Sequence, residues 1–181
     1  MINELDSIIQ LSLTEMCEFI KGNKWIGREG EVISLYVLGL LQHKFKTGTC
    51  FNDPTQIGIE VAVKQIDKDG KKKVNKDKVN KDLVIWKKPR ETCFDNDMKP
   101  VKSPISIMEW KVRHHDEKYI RKKIKDHQKD IDWLIRFSKG KQDFVGYAAY
   151  FDLYNSNVSL KVCKIENNSK KEDWFVYPDA L

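Results

Sequence analysis

Apolar residues recur at helical spacing between residues 6 and 21, at Ile9, Leu13, Met16, Phe19 and Ile20. That spacing predicts a first helix, and Gly22 is a natural stop. A second helix is predicted to start near Arg28. Val32, Leu35, Tyr36, Leu38 and Leu41 make it apolar around most of its circumference, so it is expected to be largely buried. The period then changes. Ile57, Ile59, Val61 and Val63 alternate with Gly58, Glu60, Ala62 and Lys64, the pattern of a half-buried strand. Asp67-Lys68-Asp69-Gly70 reads as a turn, and the lysine-rich stretch 71–81 reads as too polar for a core. Asp82-Leu83-Val84-Ile85-Trp86 is a short apolar strand led by an acid.

Residues 87–104 carry Pro89, Pro100 and Pro104 among mixed charges and read as an inserted loop. Ile105 to Val112 is the next strand. The helical period returns from Glu117 to Lys139, through Ile120, Ile124, Ile131, Leu134 and Ile135, and Gly140 ends it. Phe144–Leu153 and Val158–Ile165 read as two further strands. Residues 166–173 are polar, and Trp174-Phe175-Val176-Tyr177 reads as a small edge or tail. Interleaved helices and strands predict an α/β domain with a central mixed β-sheet flanked by helices. The length of 181 residues fits a single domain, 1–181. Its core would span about 28–153, preceded by the helix 6–21 and followed by a strand and tail over 154–181.

Composition narrows the function classes. Apolar residues make up 40% of the chain, enough to close a core, and charged residues 33%. No apolar run approaches the ~20 residues of a spanning helix, so no membrane partner is expected. The start of the chain, with Asn3, Glu4 and Asp6, lacks the basic lead of a signal peptide. Cys17, Cys50, Cys93 and Cys163 lie far apart without a Cys-x-x-Cys pair, which argues against a zinc knuckle and for a reducing, cytoplasmic setting. No Gly-rich phosphate loop and no Ser or Cys nucleophile with a matched His is recognisable. The net charge of +6 leans toward polyanions, and a solubility bias would give the same number.

The residues with the clearest chemistry are Glu109-Trp110-Lys111. Residues two apart in a strand share a face, so an acid and a base stand side by side at the end of an apolar strand. Such a pair is unfavourable there unless it is partnered or binds something. The same acid-x-Lys spelling occurs at Asp69, Asp97 and Asp116, but only in turns, loops or a helix start. Asp82 opens the preceding strand. If the two strands are neighbours, Asp82 and Glu109 converge, and a hard divalent cation with oxygen ligands relieves their repulsion. Glu31, at the start of the second helix, could reach the same place. In the plain structural alternative, Asp82 caps a turn, Glu109 and Lys111 form a cross-strand pair, and Glu31 answers the helix dipole.

This order, Glu31 on a helix, a strand, Asp82, Glu109-Trp110-Lys111 and then a long helix, resembles the PD-(D/E)XK superfamily of restriction-endonuclease-like nucleases. Their common core is helix, three strands, helix, strand. Gly27-Arg28-Glu29-Gly30-Glu31 is similar to the Gly-x-x-x-Glu helix start of the Holliday-junction-resolvase branch. Lys81 stands where the family name has Pro, and the segment between Asp82 and Glu109 is longer than the usual hairpin. The resemblance implies a metal-dependent endonuclease hydrolysing DNA phosphodiesters. Asp82, Glu109 and the Trp110 carbonyl would hold Mg²⁺, or Mn²⁺ in its place. Glu31 would ligate directly or through water, and Lys111 would orient the attacking water. Many relatives act as homodimers, because a duplex has two strands to cut.

A DNA backbone would need cations beside that site. Eleven Lys or Arg stand against four Asp between Lys64 and Arg90, and the long helix adds more. Lys64, Lys81, Lys87, Lys88, Arg113, Lys118, Arg121 and Lys122 are the candidate contacts. A solvated lysine face is the competing explanation. His114 and His115, adjacent at a strand end, point to opposite faces and cannot share one metal there; His43, His127 and Gln42 carry weaker signals. Two other readings stay open: a binding module on a nuclease-like scaffold, and an unrelated α/β domain whose charges meet a protein partner.

Overall fold

The computed structural model describes residues 2–66, 78–90, 103–114, 120–154 and 158–178. The turn expected at 67–70, most of the insertion at 87–104, Cys93, His115 and Lys118 lie outside the described residues. Helix α1 spans Ile2–Asn23 and buries one stripe, Leu5, Ile9, Leu13, Met16, Cys17 and Ile20. Phe19 falls off that stripe and is exposed. Helix α2 spans Glu29–Ser34. It runs on through a π-turn at Leu35–Leu40 and a 3₁₀ turn at Leu41–Lys44. The Leu41 N–H reaches the Tyr36 carbonyl five residues back, and this wider turn returns Leu41 to the core after Tyr36 and Val37. Leu38, one of the apolar positions expected to be largely buried, is left 54% exposed.

The strands are β1 Ile57–Lys64, β2 Lys78–Ile85, β3 Ser106–Arg113, β4 Val145–Asp152, β5 Ser159–Glu166 and β6 Ser169–Tyr177. They form one six-stranded mixed sheet in the order β1-β2-β3-β4-β5-β6. Only β3 and β4 are parallel, and helix α3, Ile120–Ser138, makes the crossover between them. The expected α/β class, a mixed sheet with helices on its faces, is what the chain forms.

Alternation along each strand feeds two cores. Met108, Trp110 and Val112 of β3 join Tyr147, Ala149 and Phe151 of β4 under α1 and α2. Ile107, Ala148 and Ile165 meet Ile131, Trp133, Leu134 and Phe137 of α3 on the other face. The amino-terminal half of α3 does not join this core, and Ile124 is exposed.

Three differences from the sequence expectation matter. Residues 78–81, expected outside the core, extend β2, and Lys81 is buried. Strand β6 begins at Ser169, within the stretch expected to be merely polar. It is an edge strand entered through Asn167 and Asn168, both with left-handed backbone (φ 51° and 62°). Strand β1 changes faces partway. Ile57 and Ile59 pack with α1 and α2, whereas Val61 and Val63 pack with α3. The switch falls at Glu60, whose φ is 54°. A Cβ on Gly58 would lie 2.3 Å from Val61 Cγ2, so residues three apart now share a side and a side chain at 58 would force Val61 to shift.

Candidate metal centre

The face switch in β1 has a counterpart in β2. The β1–β2 ladder skips the Glu60/Asp82 position. The β2–β3 ladder runs from Ile85↔Ser106 to Leu83↔Met108 and stops one pair short of Asp82 and Glu109. A ladder that stops leaves backbone groups to be satisfied otherwise. Here the Trp110 N–H donates to Asp82 Oδ2 at 2.7 Å. The same bond turns the Asp82 carboxyl toward β3, where its charge acts on the Glu109 carboxyl. The two acids that the sequence pairs across 27 residues therefore meet where the strands part.

Burial disfavours the charged form of both carboxyls. Glu109 is only 4% exposed, and burial pushes its pKa up to about 7, with Lys81 opposing and Asp82 and Asp130 reinforcing. Burial also raises Asp82, against the Trp110 N–H and the Lys111 charge. The Lys81 ammonium is bonded to Glu109 Oε1. Lys111 lies on the same face two residues beyond Glu109. Its ammonium donates to the Trp110 carbonyl at 2.6 Å and pairs with Asp130 of α3 at 3.0 Å and Glu29 of α2 at 3.8 Å. Burial alone would lower Lys111, but Asp130 and Glu29 outweigh it and its pKa is raised.

Of the expected residues, Asp82, Glu109, Trp110 and Lys111 come together. Glu31 does not join them, because its carboxylate accepts the Arg28 N–H at 2.6 Å, closing the start of α2. The acid that α2 delivers is Glu29. Its Oε2 accepts the Val112 N–H at 3.2 Å and the Lys123 ammonium at 2.7 Å. A Glu three residues into a helix is a capping position, and that rule could have separated the two acids in advance. Asp130 was also missed, although His127, Asp130, Ile131 and Leu134 share one side of α3 by helical spacing.

No family model, curated protein or solved structure matches this chain.

The oxygen donors at this end of β3, the two carboxyls and the Trp110 carbonyl that accepts the Lys111 ammonium, are the kind a hard cation takes with water completing its shell. Their crowding and raised pKa values suit such an ion. Among the described residues no group of three or more His, Cys, Asp or Glu side chains is arranged to hold one. A cavity of about 260 Å³ opens beside Lys111, lined among others by Glu29, Arg113, His114, Lys122, Lys123 and Asp126. Burial lowers the pKa of His127, which sits near Asp130 and Lys111. Gln42 is elsewhere, bonded to the Leu38 carbonyl, and His43 is exposed on the same 3₁₀ turn.

The candidate backbone contacts separate into groups. Arg113 and Lys122 line the cavity, Arg121 is exposed on α3, and Lys64 ends β1 beside Lys78. Arg113 is held by Asp152 at 2.7 Å and lies 4.5 Å over the Tyr154 ring. Lys87, paired with Asp143 at 2.9 Å, and Lys88 follow β2 at the end where β3 begins, away from Lys111. Lys81, expected at a nucleic-acid surface, is instead inside, because Glu109 gives it a partner that solvent would otherwise supply. No helix of the described residues is long and apolar enough to cross a membrane.

Proposed function

We propose that this protein is a Mg²⁺-dependent nuclease of the restriction-endonuclease-like kind, with Mn²⁺ as the alternative ion, hydrolysing phosphodiester bonds of DNA. One observation carries the reading: the half-buried Asp82 and buried Glu109 carboxyls lie close enough to repel each other at the point where β2 and β3 separate, with Lys111 two residues beyond Glu109 on the same face. The succession of α2, β1, β2, β3, α3 and β4 supports it, being helix, three strands, helix, strand.

Asp82, Glu109 and the Trp110 carbonyl would hold the ion, which supplies positive charge that eases deprotonation of water and offsets charge developing on the phosphate. The chain's own residues do the rest. Lys111, charged and braced by Asp130 and Glu29, holds a fixed positive charge and a donor beside the reacting phosphate. Arg113 and Lys122, around the cavity, hold the neighbouring backbone.

A second reading has one observation in its favour. The Lys81 ammonium already satisfies Glu109, as it would in a binding module that holds nucleic acid without cutting it. Plasmid cleavage separates the two. The nuclease reading expects Mg²⁺-dependent nicking that Glu109→Ala or Lys111→Ala reduces by about 100-fold or more. Full cleavage by folded Glu109→Ala, or salt-sensitive DNA retention without any product, would overturn it.

A further inference from the structure

We propose that the Lys81 ammonium is the resident cation of Glu109, and that a divalent ion reaches the Asp82–Glu109 pair only by displacing it. This rests on the metal-site reading above and adds a role for a residue that reading leaves unused. Lys81 is 5% exposed, an unusual place for an ammonium. Its seat is built from two directions. Glu109 Oε1 accepts its proton. The Trp133 ring lies under it, 3.7 Å from the ring centre. That ring is itself fixed, its Nε1–H donating to Gln65 Oε1 at 3.1 Å and its face stacked on Phe137.

The break in β2 brings Lys81 there. It pairs in register with Val61, and Val61 and Val63 pack toward α3. Its side chain therefore enters the face onto which Glu109 projects. An ammonium and a divalent ion cannot share one buried carboxylate at contact distance, since like charges there repel strongly. Lys111 is not an equivalent competitor, because Asp130 and the Trp110 carbonyl already hold it. The flexible four-carbon stem of Lys81 allows the head to leave while the stem stays over the indole.

The test is calorimetric titration of the full chain with Mn²⁺ alone, without nucleic acid, at fixed pH and salt. Lys81→Met keeps the stem and removes the charge. It is expected to bind Mn²⁺ at least about tenfold more tightly than the parent, whereas Lys81→Arg, which keeps a cation, binds no tighter than the parent. Lys81→Gln serves as a second neutral variant, with thermal unfolding as the check that each folds. Unchanged or weaker binding in a folded neutral variant, with measurable binding by the parent, overturns the role of Lys81 and leaves the metal site standing. Absence of binding by parent and neutral variants alike overturns both.

Discussion

Two lysine–carboxylate clusters lie on opposite faces of the same sheet, and they differ in how the acids meet. Under α1, Lys164 bridges Asp6 at 2.6 Å and Glu166 at 2.9 Å, and Tyr147 donates its hydroxyl to Asp6. Each acid there faces an ammonium or a hydroxyl. That cluster ties α1 to β4 and β5. Under α3 Glu109 also has its ammonium, Lys81, but Asp82 and Glu109 crowd each other, burial raises both, and the strands beneath them have parted. Buried charge alone is compatible with a structural tie. Two acids crowded together, one of them buried, where backbone pairing has been given up, are the arrangement to expect of a site.

The sharpest way to break the comparison is to remove one acid from each cluster. Asp82→Asn should lower Mg²⁺-dependent cleavage by about 100-fold or more. Asp6→Asn should leave the cleavage rate of the folded protein nearly unchanged. Equal losses in the two variants would erase the distinction. Stability should move the other way. Lys164→Met strands Asp6 in a mostly buried place and should cost about 2–3 kcal/mol in urea unfolding. Asp82→Asn removes a carboxyl that burial disfavours in its charged form, keeps an acceptor for the Trp110 N–H, and should be neutral or mildly stabilising in the metal-free protein.

The smallest effect is in the pH dependence of the metal-free protein. The Glu109 pKa is raised from an ordinary 4.5 to about 7, so the folded state holds its proton more tightly than the unfolded chain does. The resulting stabilisation is full below the ordinary value and is lost as pH rises through about 7. Urea midpoints should fall across that window in the parent, and Glu109→Gln should flatten the fall. A slope identical in both would show that the carboxyl titrates elsewhere.

Much of this architecture was readable from periodicity. The helical stripe of α1 and the apolar runs of β4 and β5 come from residues whose burial follows the local pattern, whereas β1 alternates in sequence but changes faces at Glu60. Asp82, Glu109 and Lys111 were also findable, because a charge at the end of an apolar strand is conspicuous. What was hidden depends on partners distant in the chain. Lys81 sits in a lysine-rich run and reads as solvated until Glu109, 28 residues on, appears beside it. Glu29 and Glu31 differ only in which way the first turn of α2 points them. Asp130 lies on α3, and only the β3–α3–β4 crossover brings it to Lys111. The polar start of β6 shows no alternation because an edge strand has little to bury there.

The most direct test is a crystal of the protein soaked in Mn²⁺ and measured for anomalous scattering. The account predicts a peak about 2.0–2.3 Å from carboxyl oxygens of both Asp82 and Glu109 and from the Trp110 carbonyl, with the Lys81 ammonium moved off Glu109. A peak bound elsewhere, or none at saturating Mn²⁺ with Lys81 still on Glu109, would contradict it.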